Sequence, residues 1–453
     1  MNESENRLER KLGLFPVTNI VIANIIGAGI FTTTGYLMGF LGNPMIMLFL
    51  WILGGLIALC GAIAFGELGA AFPDAGGEYV FISKLFSPLL GFLSGWLSLI
   101  VGFSAPIAAS AIGFSKYFIW AFPDSQSWLF LNNIIGEEAY SRMLAIVIII
   151  LFTFIHAKGL VLGAKVQNLL TLLKILLVLA LIFAGFLFGE GNLENLKTSA
   201  EFEFSFTNWK AIGLSLVFIM FAYSGWNSAT YIGSEIRSPR KIIPRSLLIS
   251  TLIVTVLYIL LNVFFIYAVP PSELRNEPEV AGLAAGFAFG PLAEKVISLL
   301  ISFALFSSLS AFILLGPRVY FKMAQDGLFF KSMAKIHPIR KVPVNAIYLQ
   351  AAIAIILVLS GTFDQILTYM GFSLGIFPIL AVAGVFKLRM RGESVLKLPG
   401  YPIIHLIFIL TGIAMLVLTY FERPVESSVA LFTALSGIPL YYFFHRKLKS
   451  QKF

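Results

Sequence analysis

Twelve runs of mostly apolar residues, joined by short polar links, leave this chain few folds to choose from. A helix of roughly 20 apolar residues crosses the hydrocarbon of a bilayer. Inside that hydrocarbon every backbone N–H and C=O must be satisfied within the segment, which selects helices over open sheets. The runs cover about 17–41, 44–71, 88–121, 142–156, 160–189 and 209–233, then 242–269, 287–318, 343–360, 363–387, 401–421 and 427–445. The fourth is short, and the third and eighth are long enough to tilt or to project beyond the bilayer. No stretch between them could build a separate soluble domain, so the expected fold is one all-α membrane domain over residues 1–453. Charged residues make up 12% of the chain, about half the share of a soluble domain. The first run is too long for a signal-peptide core and lacks a basic leader, and it reads as a membrane span.

Loop charge tests the count. With the N-terminus in the cytosol, 24 of the 32 Lys and Arg fall on the inner side and 7 on the outer, while Lys174 sits within a span. Of the 23 acids, 14 fall outside and 9 inside, counting Glu67 at the inner end of span two. This is the positive-inside bias, and one missed span would invert half of it. Both termini are then cytosolic and the expected setting is the cell membrane. The net charge of +9 needs no nucleic-acid partner, since the basic residues line a face beside anionic lipid. The single cysteine, Cys60, excludes an intrachain disulfide. His156, His337, His405 and His445 stand too far apart in sequence for a local zinc motif, and no cofactor is indicated.

Two spans differ from the rest. Span one is interrupted by Gly27-Ala28-Gly29, and span six by Ser224-Gly225 after Tyr223. Each opens a block of five spans, about 17–189 and 209–387, with two further helices over 401–445. An odd number of spans per block inverts the second against the first. One glycine pair alone would read as close helix packing. Matched interruptions at the head of two repeats point instead to a transporter's substrate site.

Five stretches then carry a family resemblance: Asn24-Ile-Ile-Gly-Ala-Gly-Ile-Phe31, Gly66-Glu-Leu-Gly-Ala-Ala-Phe-Pro-Asp-Ala-Gly-Gly-Glu-Tyr79, Phe221-Ala-Tyr-Ser-Gly-Trp-Asn227, Ser234-Glu-Ile-Arg-Ser-Pro-Arg240, and Pro317-Arg-Val-Tyr320 with Met323-Ala-Gln-Asp-Gly327. In this order they resemble the amino acid–polyamine–organocation transporters, nearest to the L-type amino acid transporter branch and its bacterial relatives. The resemblance implies twelve transmembrane helices in the 5+5 inverted-repeat, leucine-transporter-type fold, with helices one and six broken.

An amino acid brings a carboxylate and an ammonium into low dielectric, and a broken helix offers partners for both. The carboxylate is assigned to the backbone N–H groups at Ala28, Gly29 and Ile30, where side chains at 27 or 29 are expected to obstruct it. The ammonium is assigned to carbonyls near Ile25 and Ile26 and to Phe221, Ala222 and Ser224. Phe221 occupies the position where the family places an aromatic gate; ordinary helix packing is the alternative.

Lys174 lies mid-depth in span five, fourteen residues from Leu160, where an unpaired ammonium costs several kcal/mol and a functional role is the default. In sodium-independent relatives a lysine here resembles a surrogate for a sodium ion, expected to meet carbonyls near Ile22, Ala23 and Gly27. Asn227 stands where arginine and polyamine exchangers tend to carry glutamate. With no buried acid expected near the site beyond peripheral Glu67, a neutral substrate is favoured. Residues 122–141 lack the cysteine by which animal L-type transporters join an accessory glycoprotein, so no disulfide-linked subunit is expected.

Gly371-Phe-Ser-Leu-Gly375 matches a hydrolase nucleophile pattern but lies in an apolar span without acid and histidine partners. Ser307, Ser308 and Ser310 either face Lys174 or bond back to their own helix. Glu67, Arg240 and Arg318 are candidates for ion pairs at the inner face. The leading expectation is a neutral L-amino acid transporter working by alternating access as a sodium-independent exchanger. The alternatives are a proton-coupled symporter, with protons as second partner, and an exchanger of cationic amino acids or polyamines. No span holds an acid–base–nucleophile set, which argues against an enzyme.

Overall fold

The computed structural model describes residues 8–122, 136–197, 205–360 and 363–450. The loop in which an accessory-subunit cysteine would sit falls largely outside them, at 123–135. The described chain is helical: α1 (Leu14–Ile25), α2 (Ala28–Leu41), α3 (Pro44–Ala71), a short α4 (Glu78–Leu85), α5 (Pro88–Ala121), α6 (Glu137–Ala157), α7 (Leu160–Phe188) and α8 (Phe206–Ala222). There follow α9 (Pro239–Ala268), a short α10 (Val280–Phe289), α11 (Pro291–Gln325), α12 (Val344–Ser360), α13 (Phe363–Met390), α14 (Ile403–Glu422), α15 (Pro424–Leu435) and α16 (Gly437–Ser450). Among the described residues strand-like pairing is limited to two isolated bridges, Leu12 with Ile236 and Ala75 with Ile232.

Ten helices, counting α1–α2 and α15–α16 as one each, are long and apolar enough to cross a membrane. Two more expected spans, α8 and α12, have 17 residues each. At 1.5 Å per residue they reach about 26 Å, just short of a roughly 30 Å hydrocarbon core. The third expected span carries a π-helical turn over Ser98–Ser104, and the fourth begins five residues earlier than its apolar run, at Glu137.

What packs these helices is read most clearly from α7. Gln167, Thr171, Lys174, Val178, Leu181 and Ile182 are buried, and they recur at helical spacing along one face. Leu169, Leu172, Leu173, Leu176 and Phe183 are exposed on the other. In water this polarity would be inverted. An apolar outer face and a polar inner stripe fit a helix whose outer solvent is lipid, and the chain is a multi-pass membrane protein.

The broken elements lie inside this wall. The α1–α2 pair is the most enclosed of the membrane-crossing units after α5, and α1 packs on α7, α9 and α11. The sequence expectation of one interrupted span over 209–233 needs correction. The α-helix stops at Ala222, and short 3-10 turns over Ser228–Tyr231 and Gly233–Glu235 carry the chain to α9. Gly225, at φ +100°, turns the backbone there: a Cβ would lie 2.3 Å from the Asn24 side-chain oxygen.

Candidate functional site

The first break opens between Ile26 and Gly27. Ile26 still donates its N–H to the Ile22 carbonyl at 2.9 Å, but its backbone is extended and α2 restarts at Ala28. Gly27 caps α2 without a side-chain bond to the first turn. The N–H groups of Ala28, Gly29 and Ile30 are therefore first-turn donors with no intrahelical acceptor, carrying the positive end of the helix dipole.

Lys174 reaches into this break from α7. Its Nζ donates to the Ala23 carbonyl at 3.3 Å, to the Ile26 carbonyl and to Ser308 Oγ at 2.7 Å. Ser308 in turn donates to the same Ile26 carbonyl at 2.7 Å. Of the three carbonyls expected around the amine, only that of Ala23 accepts a bond from it. The Ile22 carbonyl is occupied by the Ile26 N–H, so Ile26, the residue that leaves the helix, supplies the second acceptor. The neighbouring serines do not simply bond back to their own helix. Ser307 meets Thr171 and the Gln167 amide, and Ser310 pairs with the His156 ring nitrogen at 2.8 Å.

Tyr258 of α9, a residue that sequence reasoning passed over, connects the two breaks. Its hydroxyl lies 2.8 Å from the Ile25 carbonyl and 3.0 Å from the Ala222 carbonyl. The Phe221 carbonyl accepts the Ser224 N–H at 2.9 Å. Of the acceptors proposed for an ammonium, the Ile26 carbonyl already takes two bonds, from Lys174 and Ser308, while Phe221 takes one and Ile25 and Ala222 share the Tyr258 hydroxyl, which leaves a lone pair on each of these three.

The two glycines of the first break differ. A Cβ on Gly29 would stand 2.6 Å from Ala222 Cα and 3.2 Å from the Phe221 ring, whereas one on Gly27 would meet nothing closer than Ser308 Oγ at 3.6 Å. Within the protein a Cβ is therefore obstructed at Gly29 and not at Gly27, because only at Gly29 does the backbone of the other broken helix press close. Phe221, which is buried, packs over that contact.

Two cavities meet here. A small one is lined by Gly27, Ala28, Gly29, Phe221 and Ala222; a larger one, with about 1050 Å³ of space partly open to solvent, runs along Asn227, Glu78, Tyr231 and α13. They share Asn24, Ser224 and Phe312. The Asn24 amide nitrogen is buried and has no partner among the described residues.

The larger cavity overturns one premise. Glu78, a member of the Gly76-Gly77-Glu78 stretch, is a buried acid in the cavity wall, and its Oε1 accepts bonds from Asn227 Nδ2 at 2.7 Å and the Tyr231 hydroxyl at 3.3 Å. Burial pushes its pKa up to about 7, against the lowering effect of the Tyr231 and Asn227 bonds. Its positioning follows from local sequence: Gly76 and Gly77 both take positive φ, and a Cβ on Gly77 would lie 2.6 Å from the Tyr231 ring.

Towards the end of the bundle that bears the N-terminus, Lys11 and Leu12 donate their N–H groups to the Glu235 carbonyl, and Arg237 donates back to Leu12. Arg318 Nε donates to Glu235 at 2.9 Å, both buried, and Arg389 grips Glu67 with two bonds of 2.8 and 2.6 Å. Of the three ion-pair candidates read from the sequence, Glu67 and Arg318 are paired; among the described residues Arg240 has no acidic partner.

Comparison with known proteins identifies the family. The family model described as amino acid permease matches residues 12–444. The chain is similar to the serine/threonine exchanger SteT of Bacillus subtilis, 28% identical over 449 residues, covering 98% of each chain. It is also similar to the Asc-type amino acid transporter 1 of Mus musculus, 28% identical over 96% of this chain and 81% of the relative. A third relative, the b(0,+)-type amino acid transporter 1 of Mus musculus, is 28% identical over 96% of this chain and 88% of its own. With the family model spanning nearly its whole length, the chain belongs to the amino acid permease family, a family of membrane transporters and not of enzymes.

Proposed function

We propose that this protein is a sodium-independent exchanger of neutral L-amino acids. It works by alternating access on a twelve-span, 5+5 inverted-repeat scaffold, in the cell membrane with both termini cytosolic. The observation that carries this reading is the docking of the Lys174 amine on the carbonyls of Ala23 and Ile26. A broken helix needs a cation to hold its freed carbonyls, and a lysine supplied by the chain replaces one that would have to be bound from solution.

In this reading the N–H groups of Ala28, Gly29 and Ile30 bind the substrate carboxylate. Free lone pairs of the Ile25, Phe221, Ala222 and Ser224 carbonyls receive the ammonium, the Ile26 carbonyl being taken by Lys174 and Ser308, and Phe221 closes over both. Neutral selectivity rests on Asn227, which presents an amide and, with Tyr231, occupies Oε1 of Glu78. The chain acts without a disulfide-linked subunit. Exchange is the mode that the serine/threonine exchanger among its relatives suggests.

Counterflow in proteoliposomes tests this directly. Vesicles preloaded with unlabelled L-serine, L-alanine or L-leucine should accumulate the labelled amino acid without sodium on either side. Neutral amino acids should compete at least tenfold better than arginine or lysine, about 1.4 kcal/mol. Sodium-dependent accumulation, or equal competition by arginine, sinks the reading.

A further inference from the structure

The Lys174 strut leaves one ionisable group of the cavity unexplained. Among the described residues lining the larger cavity, Glu78 is the one carboxyl, and no Lys, Arg or His joins it. Both bonds it accepts fall on Oε1. The second oxygen accepts none from the described residues, in a wall otherwise built of apolar side chains, serines, a threonine and the neutral polar side chains of Asn24, Asn227 and Tyr231.

The charges on the elements around it are engaged elsewhere. On its own helix, Lys84 pairs with Asp74 and the Tyr79 hydroxyl bonds Asp326. On α11, Arg318 pairs with Glu235, Lys322 with Asp326, and the Tyr320 hydroxyl points to the Ser98 carbonyl. Glu67 of α3 is held by Arg389 of α13, and Lys387 lies over the Phe86 ring. Asn227 and Tyr231, its direct partners, are neutral. A buried carboxylate without a counter-ion is costly, and the ordinary relief is to hold a proton.

We propose that Glu78 is a proton-binding site of the transport cavity, loaded when a neutral amino acid occupies it. The proton comes from solvent to the second carboxyl oxygen, and no other bond is made or broken. A substrate entering the cavity displaces water from that oxygen, which disfavours the carboxylate further. Occupancy therefore raises the affinity for the proton, and by reciprocity the proton raises the affinity for substrate. The inference rests on the neutral-substrate reading above and goes beyond it, since it makes binding consume a proton.

The sign follows from the raised pKa of about 7. Below it the free protein already carries the proton and affinity is high; above it, binding must draw a proton from solution and affinity falls. If only the protonated form binds, the loss between about pH 6 and about pH 8 approaches about tenfold.

The test measures binding of L-leucine, L-alanine and L-serine to the purified full-length protein across that range. Proton uptake on binding is followed in weak buffer. We expect the wild type to lose affinity as pH rises and to take up a proton in alkaline solution. Glu78→Gln, which keeps an acceptor for Asn227 and Tyr231, should lose both responses. A wild type that binds these amino acids with pH-independent affinity and no proton uptake overturns the proton site while leaving the substrate reading intact. A Glu78→Gln protein with the wild-type slope overturns it as well, by assigning the proton to another group. A wild type that binds none of the three at any pH overturns both readings. Glu78→Asp, which keeps a carboxyl, should retain a pH response, and a folded Asp variant without one overturns the assignment where the Gln variant fails to fold.

Discussion

The two helix breaks differ in almost every physical respect. The first is abrupt: two extended residues, Ile26 and Gly27, separate two regular helices, and α2 restarts with free N–H groups. The second is long, with irregular backbone and 3-10 turns from Tyr223 to Ser238. The first is held on its backbone acceptors by the Lys174 amine, with the Ser308 hydroxyl at the Ile26 carbonyl and the Tyr258 hydroxyl at the Ile25 carbonyl. The second is held piecemeal by side chains: Tyr258 at the Ala222 carbonyl, Glu78 at Asn227, and Arg318 at Glu235. A short break flanked by regular helix gives a fixed set of donors suited to the group that every amino acid shares. A long one held by side chains can vary its contacts, and suits the reading of what differs between substrates.

The largest predicted effect strikes where the two breaks touch. Gly29→Val should abolish substrate binding, because even a Cβ would stand 2.6 Å from Ala222 Cα, a backbone atom that can yield only by moving the whole broken segment. Binding measured by scintillation proximity should fall at least about a hundredfold, more than 2.7 kcal/mol. Near-normal affinity would mean that the carboxylate binds elsewhere.

Lys174→Ala comes next. It removes the bonds to Ala23, Ile26 and Ser308 while the Ser308 bond to Ile26 can persist. An unsatisfied buried carbonyl costs about 1–3 kcal/mol, enough to loosen α1 against α2. Exchange should drop by about tenfold to a hundredfold with the protein still monodisperse in detergent. The second break should be unaffected, so residual exchange should keep its selectivity order. Unchanged exchange would show that the amine holds nothing that matters.

This contrast also explains what was legible in the sequence. The first break announces itself locally, since three consecutive small residues, Gly27-Ala28-Gly29, interrupt an apolar run, and Lys174 stands out as a charge in another. The all-helical membrane class followed from run length, and exposed leucines and a buried polar stripe on α7 are what such runs require. The second break was read too simply. Ser224-Gly225 marks where it begins, but its extent depends on contacts such as Glu78 to Asn227, 149 residues apart, and Tyr258 to Ile25, 233 apart. No local pattern encodes such pairs. The acid at 78 was visible within a quoted motif, yet its chain position between two spans suggested a loop rather than a cavity wall.

A smaller effect is expected where one residue serves both breaks. Tyr258→Phe deletes the hydroxyl that meets the Ile25 and Ala222 carbonyls and keeps the ring packed against Trp51 and Tyr223. The net worth of such a bond is about 0.5–1.5 kcal/mol, so affinity should weaken about threefold to tenfold with little change in fold. If the variant instead loses selectivity among neutral side chains at constant affinity, the tyrosine acts on the second break alone.

The smallest predicted effect separates two glycines only two positions apart. Gly27 is extended, with φ −120° and ψ −159°, a conformation that any residue adopts. A Cβ there would meet Ser308 Oγ at 3.6 Å and the Ile25 carbonyl at 3.9 Å, both ordinary contacts. Gly27→Ala should therefore weaken binding by no more than about twofold to threefold. The thermal midpoint should hold or rise slightly, because alanine restricts the unfolded chain by about 0.4–1 kcal/mol relative to glycine. The same binding assay used for Gly29→Val gives the comparison. If Gly27→Ala proves as damaging as Gly29→Val, the carboxylate must lie in front of residue 27 rather than over the first turn of α2. The anion site would then begin at the cap of the helix, and Lys174, bonded at the adjacent Ile26 carbonyl, would sit close enough to share it.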